Sequence, residues 1–268
     1  MIIGIAGLSH LGLVTAAGLS EKGFQIIAWD PNPINIDDLI EGTTRISEPQ
    51  LIKLLSKNTS NIKFVRNCSE LGHADLVYIA SDTPTNNANF PDLLLVSKII
   101  EEVIKYIEKD AVLAILSQVP PGFTESINFP SARLFYQVET LILGEAVSRF
   151  LNPERFIIGC DNPKKETHPI LAEVLEKFDC PILTMGYKSA ELAKVAINSI
   201  LTSQISTANM LSALCETIGA DWSEIVPALQ LDKRIGRKAY LKPGLGLAGG
   251  NLERDLSVLD NLTTQHKI

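Results

Sequence analysis

Apolar and polar positions alternate in two rhythms along the first part of the chain. Short apolar runs at 2–6, 24–29, 76–80, 112–117, 155–159 and 182–183 predict strands. Between them, apolar residues recur at helical spacing over 11–22, 36–41, 48–56, 93–108 and 170–177, which predicts helices. Strands alternating with helices imply βαβ units and a doubly wound α/β sheet with parallel strands. The rhythm then changes. From 189 to about 218 there is neither Pro nor Gly, and Ala, Leu and Ile recur at helical spacing. About 30 residues of helix extend roughly 45 Å. A helix this apolar is expected to bury more than one face, in part against a partner chain. Its polar edge carries Lys194, Asn198, Gln204 and Asn209, and Gly219 fits a C-cap. A further helix is predicted over 223–229. A Gly-rich loop at 243–250 follows, then a short last helix from about Leu252.

Composition narrows the classes. The 268 residues fit one large or two modest domains, with 46% apolar and 21% charged residues. A net charge of −7 argues against a nucleic-acid or anionic-membrane partner. No uncharged apolar stretch of about 18 residues is present, so no membrane span is expected. The start, Met1-Ile2-Ile3-Gly4, lacks the basic region of a signal peptide. Cys68, Cys160, Cys180 and Cys215 lie far apart, without metal-ligand spacing. Reduced thiols in a cytoplasmic protein, and no metal, are the expectation. Trp29 and Trp222 read as core residues.

Gly7-Leu8-Ser9-His10-Leu11-Gly12 follows the first strand and opens the first helix. It is G-x-G-x-x-G with Ser9 at the middle glycine. Gly7 allows the tight turn, and Gly12 allows helix and strand to pack closely. The middle glycine lets backbone approach a pyrophosphate resting on the helix N-terminus, the turn that holds Leu11. Ser9 takes space there but can donate a hydrogen bond, so weakened binding is expected. His10 reads as a phosphate contact or as a half-exposed loop histidine. Asp30, 18 residues past Gly12, has the spacing of the acid that receives ribose hydroxyls. An acid there repels a 2′-phosphate and favours NAD over NADP. Strand, loop, helix, strand and acid together predict a dinucleotide site.

With these segments, the chain resembles the UDP-glucose/GDP-mannose dehydrogenase family. The opening 7–12 is like its G-x-G-Y-V-G. Residues 41–49, Glu-Gly-Thr-Thr-Arg-Ile-Ser-Glu-Pro, are like E-G-x-x-P-I-x-E-P, and Thr83-Pro84 is like its T-P. Residues 117–122, Ser-Gln-Val-Pro-Pro-Gly, are like S-T-V-P-x-G, and 153–159 are like P-x-R-I-x-x-G. Ala190-Glu191-Leu192-Ala193-Lys194 with Asn198 is similar to A-E-x-x-K-x-x-x-N, and 232–236 to D-x-R-I-G. The resemblance implies a Rossmann NAD-binding domain over 1–187. A long helix and a small all-α, dimer-forming domain with the Gly-rich loop would span 188–268. It implies NAD contacts at Thr83 and Ser117, and substrate contacts at Arg234 and Gly250. It also implies a homodimer through the 189–218 helix and a role in polysaccharide precursor synthesis. That loop would face the nicotinamide side of the cleft.

The family oxidises the C6 alcohol of a nucleotide sugar to a carboxylate with two NAD, through a cysteine thioester. Its G-G-S-C-F-P-K-D loop aligns with 248–255, which puts Asn251 at the cysteine position and keeps Asp255. An amide cannot act as the nucleophile. Gln118 stands at the Thr of S-T-V-P. In 138–146 Glu139 is kept, and Leu143 replaces a second acid. The family continues into a UDP-binding domain, and by this resemblance that domain is expected to be absent from the 268 residues. Lys194 and Asn198 share one helix face. They read either as a solvated polar edge or, by resemblance, as the pair that polarises the sugar oxygen. Asp255 would orient Asn251 or Lys194, or cap the last helix. The K-x-x-x-N pair also resembles that of β-hydroxyacid dehydrogenases, which need no cysteine. Three readings follow: a single hydride transfer on a nucleotide sugar or hydroxyacid, a catalytically inactive NAD-binding scaffold, and a degenerate fragment in which Ser9 marks the loss of cofactor binding.

Overall fold

The computed structural model describes residues 1–86, 90–246 and 250–268, with backbone alone at 250 and 251. The chain divides into two compact units. One is Met1–Pro84 with Asp92–Leu192; the other is Thr85–Pro91 with Ala193–Ile268.

The first unit is built on β1 (Ile2–Ala6), β2 (Gln25–Trp29), β3 (Ile62–Val65), β4 (Leu76–Ile79), β5 (Val112–Ile115), β6 (Leu134–Gln137), β7 (Phe156–Cys160) and β8 (Ile182–Gly186). They form one sheet in the order β3-β2-β1-β4-β5-β6-β7-β8. Ile3 of β1 is in register with Ile26 and with Leu76, so β1 is flanked by parallel strands on both sides. Its unbroken apolar sequence suits a strand covered on both faces. Strand order reverses between β1 and β4, and ligands of such sheets bind outside the carboxyl ends at that point.

Helices α1 (His10–Glu21), α2 (Pro33–Ile40), α3 (Leu51–Lys57), α4 (Leu94–Ile104), α5 (Ala146–Leu151) and α6 (Pro169–Leu175) complete this unit, with the start of α7 (Tyr187–Ile218). Every residue of α1 from Leu11 to Ser20 is buried. A helix apolar all round belongs inside a protein. It packs against α5 through Gly18, where an added Cβ would lie 2.1 Å from the Phe150 ring. Asn32 caps α2 by accepting from the Ile34 amide (3.1 Å).

Three elements lie outside the sequence expectation: β3, β6 and α5. Each is four to six residues long, too short to display a period. The sheet also departs from all-parallel pairing, since β7 runs antiparallel to β6, with Tyr136 opposite Gly159. The six-residue α5 spans about 9 Å. It packs on α1 instead of returning along the sheet, so the chain re-enters at the end where it left.

In the second unit α7 continues beside α8 (Trp222–Leu231), and α9 (Gly250–His266) ends the chain. At 17 residues α9 is longer than the short helix expected; its sparse apolar positions hide its period. Ala208, Cys215 and Trp222 form a small core with Leu211, Val226 and Leu229. The polar edge of α7 holds the following segment. Gln204 Oε1 accepts from the Tyr240 amide (3.1 Å) and Asn209 Oδ1 from the Gly244 amide (2.8 Å). Trp29 and Trp222 are both buried.

Gly18→Ala is expected to destabilise the first unit by about 1–3 kcal/mol through overpacking. In a Phe150→Leu background the same change is expected to lose most of that penalty. A double-mutant cycle in urea checks this, and additive effects would rule out the contact as the cause.

Candidate active site

The loop from Gly7 to Gly12 lies against the end of β4 in backbone contact. Gly7 has φ +93°, and a Cβ there would sit 2.9 Å from Ser81. A Cβ on Gly12 would sit 1.8 Å from the Gly7 carbonyl oxygen. Neither position admits a side chain. Ser9 is the N-cap of α1 yet makes no side-chain cap. Its hydroxyl turns to the β4 loop, donating to the Ala80 carbonyl (3.3 Å) and accepting from the Asp82 amide (2.8 Å). The first amides of α1 have no intrahelical partner and point out of its N-terminus, where an anion binds. Leu11 is buried.

Asp30 ends β2 and is largely buried. Its Oδ2 accepts from the Leu8 amide (2.6 Å), and its Oδ1 from the Asn32 amide (2.9 Å) and Asn35 Nδ2 (3.1 Å). A carboxylate has about four acceptor positions, so one is left for a ribose hydroxyl. These features fit a dinucleotide: a cradle too tight for Cβ atoms, an uncapped helix start and an acid beside it.

Glu48 is the organiser that the sequence reading assigned no role. Its side chain is fully buried beside His10, whose Nε2 lies 2.9 Å away. It also accepts from the amides of Gly144 (3.0 Å) and Ala146 (2.9 Å). Burial alone would push its carboxyl up. The hydrogen bonds from His10, Gly144 and Ala146 outweigh this, and its pKa lies below the ordinary glutamate value. Glu48 thus ties His10 of the glycine loop to the 138–146 segment. In that segment Glu139 is half-buried and its carboxylate accepts from the Leu141 amide. Nothing local signals this, because Glu48 and His10 lie 38 residues apart.

Ser117 is fully buried; its hydroxyl donates to the Ser81 carbonyl (2.6 Å). Thr83 Oγ1 donates to the Gln118 carbonyl (2.8 Å). Both residues bind the β4 loop to the β5 loop. Glu191, fully buried at the start of α7, accepts from the amides of Gly122 (2.6 Å) and Thr124 (2.8 Å). It fixes the far end of the β5 loop. A charge on the apolar face that includes Tyr187, Ala190 and Val195 was a readable signal.

In the second unit Asn198 and Asp255 are buried, and Asn198 Nδ2 donates to the Asp255 carboxylate. A carboxylate accepts only, so the amide must face it with its nitrogen. Buried Arg254 has Nε 3.7 Å from Asp255 Oδ1. Lys194 is half-buried one helical turn before Asn198. The exposed guanidinium of Arg234 holds Asp232 (2.6 Å) and borders a 410 Å³ pocket between α7 and α8. Their pairing holds the Asp232 carboxyl below its ordinary pKa and the Arg234 guanidinium above it. Gly250 and Asn251 begin α9, but their side chains lie outside the described residues, as do residues 247–249 of the Gly-rich loop. Among the described residues no group of His, Cys, Asp and Glu is arranged to hold a metal ion, and no helix is long and apolar enough to cross a membrane.

The sheet order, the glycine cradle and the acid after β2 define a Rossmann-type dinucleotide-binding protein. Residues 1–179 match the NAD-binding domain, and residues 188–268 the central domain, of the UDP-glucose/GDP-mannose dehydrogenase family, and the chain belongs to that family. It is similar to UDP-glucose 6-dehydrogenase YwqF of Bacillus subtilis (strain 168), with 31% identity over 97% of this chain and 61% of the relative. It is also similar to UDP-glucose 6-dehydrogenase of Rickettsia prowazekii (strain Madrid E), with 31% identity over 100% of this chain and 64% of the relative. A UDP-glucose dehydrogenase from the hyperthermophilic archaeon Pyrobaculum islandicum superposes with a TM-score of 0.90 at 28% identity. That match covers 100% of this chain and 65% of the archaeal one. The chain thus spans less than two thirds of the length of these relatives.

Glu48→Gln removes the carboxylate that receives these three donors. Because its folded-state pKa is depressed, its contribution is present at neutral pH and is lost as pH falls below the ordinary glutamate range. Glu48→Gln is expected to be less stable by about 2 kcal/mol at neutral pH and to lose this part of the acid dependence. Urea midpoints measured down an acid pH series check this; parallel curves for the two proteins would refute it.

Proposed function

We propose that this chain carries the NAD site and the hydroxyl-activating side chains of a dehydrogenase acting on a nucleotide sugar, with single-step chemistry. The observation that carries the reading is the buried Asn198–Asp255 pair on the α7 face that bears Lys194. A lysine beside a fixed amide is a built site for an oxygen that gains negative charge. When bound, NAD accepts hydride from the carbon that bears the substrate hydroxyl. The Lys194 ammonium polarises that hydroxyl oxygen and stabilises the charge left as its proton departs to a base. Asp255 fixes Asn198, whose second N–H remains for the same oxygen. Glu139, Arg234 and Gly250 are assigned to the substrate side by resemblance. Asn251, aligned with the family's cysteine, forms no thioester, so oxidation ends at the aldehyde or ketone level. The family resemblance supports a nucleotide sugar, and the K-x-x-x-N pattern alone also fits a hydroxyacid.

A second reading, a non-catalytic NAD-binding scaffold, is supported by Asn251, while an apolar stripe on α7 bears on both readings. Ile200, Met210, Leu214 and Ile218 are each between 50% and 66% exposed. A stripe of this kind suits a second copy of the chain, and in both readings the protein is a cytoplasmic homodimer.

Fluorescence titration is expected to give saturable NADH binding, tighter than that of NADPH. Absence of binding by either would remove the cofactor role. With a UDP- or GDP-sugar as substrate, Lys194→Ala is expected to lower turnover at least about hundredfold. Full activity in that variant excludes the proposed role, and no turnover by the unmodified protein favours the scaffold. Light scattering is expected to give about twice the 29.3 kDa chain mass. Met210→Asp is expected to give the monomer, and a monomeric unmodified protein would refute the interface.

A further inference from the structure

The glycine loop carries a serine where backbone approach to a pyrophosphate calls for glycine. We propose that Ser9 is a positioning residue for the cofactor. Its hydroxyl clamps the loop after β1 to the loop after β4, and this clamp holds the pyrophosphate cradle in shape. The inference rests on the NAD reading above and deepens it.

The backbone at Ser9 has φ −65° and ψ −174°, a conformation open to any L-residue. Glycine is therefore not needed there for its freedom, in contrast to Gly7 at φ +93°. The hydroxyl makes no cap at the helix start and is engaged by the β4 loop instead. It donates to the Ala80 carbonyl and accepts from the Asp82 amide, across 71 and 73 residues. The two loops already touch through backbone at Gly7 and Gly12, so only a short side chain with a donor and an acceptor can bridge them.

The bridge continues. Ser117 bonds the Ser81 carbonyl and Thr83 bonds the Gln118 carbonyl, which fixes the β4 loop in turn to the β5 loop. Three hydroxyls thus join three successive loops at the carboxyl ends of β1, β4 and β5. Glycine at position 9 would remove the first of these joins and add backbone freedom at the turn that must meet the phosphates. The fingerprint consensus points the other way, since it makes glycine the better residue. The two views give opposite signs for one substitution.

The test compares Ser9→Gly, Ser9→Ala and Ser9→Thr in NADH fluorescence titrations, with amide hydrogen exchange at Asp82 read by NMR. Loss of two hydrogen bonds is expected to raise the NADH Kd about five- to tenfold in Ser9→Gly and Ser9→Ala, and to speed Asp82 exchange. Ser9→Thr keeps the hydroxyl and is expected to stay within about twofold of the unmodified protein in both measurements. Equal or tighter NADH binding by Ser9→Gly overturns the proposal. So does unchanged Asp82 exchange in Ser9→Ala, or a lowered melting temperature with an unchanged Kd. If the unmodified protein binds no NADH, the NAD reading falls, and Asp82 exchange still decides whether the clamp exists.

Discussion

The first unit depends on how closely two pieces of backbone approach each other. At Gly12 the start of α1 lies so near the Gly7 carbonyl that a single carbon atom would not fit, and Gly7 in turn lies against Ser81. This contact sets the depth at which α1 sinks onto the sheet, and α1 is buried on all sides as a result. It also places the uncapped helix N-terminus at the reversal of strand order, between β1 and β4. The position of the helix N-terminus is therefore a consequence of packing. The same steric demand that excludes side chains at positions 7 and 12 brings the helix amides to the ligand side.

Buried carboxylates then organise what surrounds that contact. Glu48, Glu191 and Asp255 are each nearly inaccessible, and each receives hydrogen bonds from groups distant in sequence. An ion is tolerated inside a protein only when its acceptor positions are met. Such a group is thus a geometric constraint: the segments that donate to it cannot drift. Glu48 locks the glycine loop to the segment that bears Glu139. Glu191 locks the β5 loop, and Asp255 locks the amide beside Lys194. The hydroxyls of Ser9, Thr83 and Ser117 do the same work between the loops after β1, β4 and β5.

The chain belongs to a family whose relatives include UDP-glucose 6-dehydrogenases, and it carries that family's NAD-binding and central domains. In the proposed reading Lys194 and Asn198 face an oxygen that becomes negatively charged, and Asp255 fixes Asn198. In the same proposed reading, Asn251 stands in place of the thiolate and the thioester step is absent. Hydride transfer requires only an activated hydroxyl and a bound nicotinamide, so the two kinds of chemistry are separable in principle.

Much of this was legible along the chain. The apolar runs of β1, β2, β4 and β5 marked the sheet centre, because a strand covered on both faces must be apolar throughout. Gly7, Gly12 and Asp30 marked the βα turn and the acid beside it by spacing, since a βα turn is local in sequence. The unbroken stretch before Gly219 announced the long helix. What escaped was short or distant. The four-residue β3 and β6 have no period to read, and the antiparallel entry of β7 follows from the packing of a six-residue helix. Ser9 was read as a group facing the phosphate; tertiary contact turned it to Ala80 and Asp82. Sequence spacing determined which backbone would curve into a cradle, because that curvature is fixed within a few residues. Only the folded chain decided which side chains hold the cradle, because their partners lie tens of residues away and no local pattern encodes the meeting.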